Sequence, residues 1–162
     1  MHAYRTLAIP TQIAEAVRVS RVSPQYGHPV HAEVATGYGP CRLCLDKFTA
    51  GADRRLLFTY DPFDGYESLP LPGPVFVHEA GCERWDEHAG FPEQLRGLLL
   101  TLNAYARGRR LIAQEYVADG AVAPVLQRLL AHPELAFIHV RNTEAGCFMF
   151  TVEPVESQIP RP

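Results

Sequence analysis

The chain has 162 residues, 47% of them apolar and 20% charged, with a formal net charge of -3; this is the size and mix of one ordinary globular domain and excludes a disordered or fibrous design. A chain of this length buries roughly two thirds of its unfolded surface, so it does not need a metal merely to fold. Its fifteen basic residues include a single lysine, Lys47, and the arginines are spread without a run, which counts against a nucleic-acid footprint.

The first residues show no basic patch followed by an apolar core, and the longest apolar stretch, near residues 98–102, is far shorter than a bilayer span. A cytoplasmic protein that does not enter a membrane is expected. In that compartment four cysteines do not read as two structural disulfides, which leaves metal binding or thiol chemistry.

Residues 4–9 read as a first strand. Pro10-Thr11 ends it and offers Thr11 as the N-cap of a helix through about Val19, with Ile13 and Val17 on its apolar face. Residues 23–40 are mostly loop, with Val30, Ala32 and Val34 alternating in strand fashion. Residues 55–60 form a short apolar run, read as a buried strand. Four prolines within residues 61–74 exclude a helix or central strand and predict a long loop. Residues 74–78 resume as a strand.

A short helix is expected around Trp85, and another at Pro92, well placed as a first-turn proline. Residues 98–104 and 111–117 form a hairpin whose turn uses Gly108. Val122, Val125, Leu126, Leu129 and Leu130 recur at helical spacing, and Pro124 fits only if that helix starts near Gly120. A second hairpin follows, 137–141 with 147–152. These elements predict an α+β fold, an antiparallel or mixed sheet with segregated helices, in one domain over residues 1–154 and a polar tail over 155–162.

The chemistry concentrates between Cys41 and Cys82. Cys41-Arg42-Leu43-Cys44 puts two thiols on one tight turn, and His78 with Cys82 supplies a second pair after a strand. Thiolates and neutral imidazole are the ligands of tetrahedral zinc, so Cys41, Cys44, His78 and Cys82 are expected to form a small zinc-knuckle-like substructure. The alternatives are buried cysteines with an unrelated histidine, or a redox dithiol at Cys41 and Cys44. The usual setting of such a dithiol, a helix N-terminus in a βαβ unit, is not evident.

The blocks Gly39-Pro40-Cys41-Arg42-Leu43-Cys44-Leu45, residues 56–63, Gly73-Pro74-Val75-Phe76-Val77-His78 with Cys82, and His139-Val140-Arg141-Asn142 with Gly146-Cys147-Phe148 together resemble the bacterial family catalogued as domain of unknown function 1203. The similarity runs from about Tyr4 to Val152, and the chain departs from the family at Leu43, a position often filled by histidine. The resemblance implies a small stand-alone bacterial protein and no particular reaction.

A second constellation lies on the C-terminal hairpin. Strand alternation puts Phe137, His139 and Arg141 on one face. With Asn142 and Cys147 nearby, His139 and Arg141 could hold an anionic ligand or tune a thiolate. The plainer reading makes Arg141 a surface arginine, His139 a packed histidine and Cys147 a small core residue. The histidines His28 and His31, near Glu33, read as loop residues. Glu79, Glu83, Asp86 and Glu87 read as a solvated helix face, and Tyr60, Phe63 and Tyr66 as aromatics packing the long loop. The leading expectation is a cytoplasmic binding or interaction module with a structural zinc ion, its recognition surface including the 61–74 loop and its partner a protein or small-molecule ligand. The alternative is a metal- or thiol-dependent enzyme, with zinc-bound water or Cys147 as nucleophile.

Overall fold

Alternating apolar residues build two antiparallel sheets in the computed structural model, which describes residues 2–65 and 71–155. The elements in chain order are β1 (Tyr4–Leu7), α1 (Thr11–Ser20), β2 (His31–Val34), β3 (Arg54–Tyr60), β4 (Gly73–His78), β5 (Leu100–Tyr105), β6 (Leu111–Val117), α2 (Val122–Leu130), β7 (Phe137–Asn142) and β8 (Phe148–Pro154). The larger sheet has the order β1-β8-β7-β5-β6 and the smaller β2-β3-β4. Every strand pair among the described residues is antiparallel, so the α+β expectation holds in its antiparallel form.

Each sheet has its own helix and its own core. Leu126 and Leu129 of α2 pack on Leu100, Leu102, Ile138 and Val140 of the larger sheet. Ala14 and Val17 of α1 join Leu56, Phe58, Val75 and Val77 of the smaller one. Phe148, at the start of β8, belongs to this second core and so links the two sheets. Among the described residues no helix is long and apolar enough to cross a membrane.

Several local expectations are corrected. Pro10, not Thr11, is the N-cap of α1, in an extended conformation (ψ 138°) without a side-chain cap bond; Thr11 is the first helical residue. No helix forms around Trp85: residues 81–86 run irregularly, because the Trp85 N–H donates to the Leu43 carbonyl and Arg84 reaches the Ile9 and Ala8 carbonyls. The carboxylates there are therefore no helix face; Glu79 pairs with Arg21 and Arg54, and Glu87 with Arg5 and Arg84. Pro92 opens only a 3₁₀ turn, Glu93–Leu95.

The long loop after β3 is described except for residues 66–70, so Tyr66 lies outside the described residues, as do residues 156–162 of the expected tail. Asp61 ties the loop together, its Oδ1 accepting from the Phe63 and Leu71 N–H groups at 3.1 and 3.0 Å. Phe63 is buried against Tyr105 and Phe137.

Candidate metal centre

Cys41 and Cys44 sit on a tight turn closed by the Leu45 N–H donating to the Cys41 carbonyl at 3.0 Å. Leu45 takes a left-handed backbone (φ 61°), uncommon for a bulky residue, yet its side chain is fully buried. Burial of the leucine offsets a strain of about 1 kcal/mol that the turn imposes. The turn is pinned on both sides: the Arg42 N–H donates to the Phe76 carbonyl in β4, and the Arg42 carbonyl accepts from the Ile9 N–H ahead of α1. His78 ends β4, and Cys82 follows on the irregular segment that returns to Leu43.

The structure thus brings the four predicted ligands together, with every ligand atom within 4.8 Å of the others. Cys41 Sγ lies 3.8 Å from Cys82 Sγ, and Cys44 Sγ 3.5 Å from His78 Nδ1. A tetrahedral zinc with its usual bond lengths sets S···S edges of about 3.8 Å and S···N edges of about 3.5 Å. Both distances fit that figure, and no disulfide spans the pair. The Cys₃His group can hold a metal ion. Cys41 is buried and the other three are half-buried.

Crowding of these groups perturbs their protonation. Hydrogen bonding with Cys44 and then Cys82 holds the Cys41 thiol far below its usual range, and the bond with Cys41 pushes Cys44 far above it. His78 is pushed up to about 10, chiefly by hydrogen bonds with the Cys41 and Cys82 sulfurs. With Cys41 favoured as a thiolate, the cluster favours a cation beside it, a proton on His78 or a metal ion.

Three supporting residues were not singled out by the sequence. Arg18 of α1 donates through Nε to the His78 carbonyl at 3.0 Å and through Nη2 to Cys82 Sγ at 3.2 Å. Asp53 Oδ2 lies 3.9 Å from His78 Nε2, on the side away from the sulfurs, where a carboxylate orients a ligating imidazole. Phe48 packs on the His78 ring at 4.5 Å. Phe76, two residues before His78 on its strand, packs on Phe48 at 6.2 Å, and the Arg55 guanidinium covers its ring at 3.9 Å. Only the last-turn position of Arg18 and the proximity of Asp53 to the knuckle in sequence hint at such roles.

The residues of the second constellation are divided among separate tasks. His139 is fully buried among Phe63, Tyr105, Phe137 and Phe148. Neither of its ring nitrogens has a hydrogen-bond partner among the described residues. Burial, then Arg141 and Arg109, lowers its pKa to about 3. Arg141 donates through Nε to the Gly146 carbonyl at 2.9 Å. Asn142 shapes the turn, its Oδ1 accepting from the Ala145 N–H at 2.8 Å. Cys147 faces the other way, accepting at 2.9 Å from Nη2 of Arg42. Arg42 is itself fully buried, with the Phe148 and Pro40 carbonyls as its other acceptors. Burial lowers the pKa of that guanidinium, and the Cys147 sulfur opposes the shift.

The model of one protein family matches residues 38–154, more than half of the chain and all four candidate ligands. The chain belongs to the family described as protein of unknown function DUF1203. The match begins after α1, so Arg18 lies outside it. Comparison with curated proteins and with solved structures finds no match.

Proposed function

We propose that this DUF1203 protein holds one structural zinc ion through Cys41, Cys44, His78 and Cys82 and serves as a binding or interaction module. The observation that carries the metal is the fit of a 3.8 Å S···S and a 3.5 Å S···N edge to one tetrahedron. Three thiolates and one imidazole suit zinc better than a hard oxygen-seeking cation. Four protein ligands fill a tetrahedron and leave no position for an activated water, which favours a structural role over a catalytic one. Four free thiols suit the reducing cytoplasm.

The thiol-enzyme reading has less support. The Arg42 guanidinium beside Cys147 favours a thiolate, but the histidine that would move protons for it, His139, meets only rings. Elemental analysis of protein purified without added metal tests the proposal. About one zinc per chain is expected; folded, metal-free protein with four freely titrating thiols would overturn it.

A further inference from the structure

The larger sheet has one face under α2 and another that α2 does not touch. Leu100, Leu102, Ile138 and Val140 pack toward the helix, so by alternation Thr101, Asn103, Tyr105, His139 and Arg141 share the opposite face. The β7 part of that face, around Phe137 and His139, is covered by Phe63. The β5–β6 part stays open as a groove of about 530 Å³.

The lining of this groove is unusual for a protein of net charge -3. It contains no carboxylate and one guanidinium, that of Arg141. The other polar groups are hydroxyls and amides joined across strands. Thr101 and Thr143 share a hydrogen bond at 2.9 Å, and Asn103 Nδ2 donates to Gln114 Oε1 at 2.7 Å. Gln114 in turn donates to the Tyr116 hydroxyl. Tyr116, 67% exposed, stands at the rim as an unburied aromatic. On the same face, beside Asn103 in the register and under Phe63, lies His139 with both ring nitrogens unpartnered among the described residues. Its burial keeps it neutral, so it adds no charge that competes with Arg141.

We propose that this groove binds a small carboxylate with a hydroxylated body, its carboxylate on Arg141 and its hydroxyls on the Thr101, Gln114 and Thr143 side chains. A single guanidinium whose Nε and Nη2 both donate to the Gly146 carbonyl keeps Nη1 and the second Nη2 hydrogen to offer, which matches one carboxylate. A phosphate dianion asks for several cations or a nest of backbone amides. The chain of hydroxyls and amides offers donors and acceptors to hydroxyl groups, and the Tyr116 ring offers a flat apolar surface for the C–H side of such a body. The proposal deepens the binding-module reading and is independent of the metal, since the groove contains none of the four metal ligands.

The test is a ¹H–¹⁵N NMR titration of the full chain with gluconate, beside glucose, inorganic phosphate and hexanoate. Gluconate should move the amide signals of Thr101, Gln114, Arg141 and Thr143 and the side-chain amides of Asn103 and Gln114. Glucose lacks the charge, hexanoate the hydroxyls and phosphate the geometry, so each should bind weaker by about tenfold or more. Arg141→Gln should weaken gluconate by a similar factor with the rest of the spectrum unchanged. Should that variant misfold, Tyr116→Ala, at an exposed position, should weaken gluconate several-fold. Stationary signals with gluconate, equal shifts with phosphate, glucose or hexanoate, or undiminished binding by a folded variant would each overturn the assignment. Zinc content measured on the same sample separates this outcome from failure of the metal reading.

Discussion

His139 shows how far one side chain can be taken from its ordinary chemistry. An imidazole among four aromatic rings, without a hydrogen-bond partner among the described residues, costs the folded state its protonated form. Its folded pKa, lowered to about 3 by burial and by Arg141 and Arg109, lies below the unfolded value of about 6.5. Between those two values the unfolded chain binds the extra proton, so stability falls as pH drops from about 6.5 toward 3, by up to about 1.4 kcal/mol per pH unit. His139→Phe keeps the ring and removes the titration. We expect the variant to be at least as stable as the wild type at pH 7 and to lose one proton's worth of acid sensitivity in urea unfolding at pH 7, 6 and 5. Both proteins carry the same candidate ligands, so any metal loss in acid is common to the two curves. Parallel pH dependences would mean that His139 protonates freely in the folded state.

At the scale of elements, the knuckle turn and the β7–β8 turn are joined through one buried arginine. Arg42 stands between two candidate metal ligands and reaches Cys147 on the far hairpin. Cys44→Ser should release the metal and lower stability by at least about 2 kcal/mol, since metal binding to the folded state is folding free energy. Cys147→Ser keeps an acceptor for Arg42 and should cost only about 1 kcal/mol. Equal small losses in thermal unfolding would remove Cys44 from the ligand set. The knuckle was legible in the sequence because a two-residue gap fixes where both sulfurs point, and β3, β5 and β7 because their burial patterns are local. What was not legible depends on distant partners. The segment with Glu83, Asp86 and Glu87 carried helix-like charge spacing, but bonds from Arg84 and Trp85 to Ala8, Ile9 and Leu43 hold it out of a helix. The roles of Arg18 and of β1, which closes the sheet beside β8, likewise come from contacts more than sixty residues apart in sequence.

Among the described residues the two larger of three hydrophobic clusters each serve one sheet, and the candidate metal cluster belongs to one of them. Cys41, Cys44 and Cys82 pack with the core of the smaller sheet, while the larger sheet and α2 form the other. Removing the metal should therefore loosen the molecule unevenly. His78 would be protonated near neutral pH in the metal-free protein, because its pKa is raised to about 10. The stability contributed by that proton is fully present below pH 6.5 and lost as pH rises through about 10, whereas zinc needs the neutral ring. Zinc and proton thus compete, and acid favours the proton. A chromogenic chelator should report zinc release that becomes faster as pH falls from 8 to 6. Hydrogen exchange on the chelated protein, and on His78→Ala, should rise at residues 79–85 and in the β3–β4 hairpin while β5 and β7 stay protected, since their ladder touches none of the four ligands. Exchange that rises equally in both sheets would make the cores one cooperative unit. Exchange unchanged everywhere would mean that the cluster stabilises nothing, and the structural role proposed for the zinc would fall.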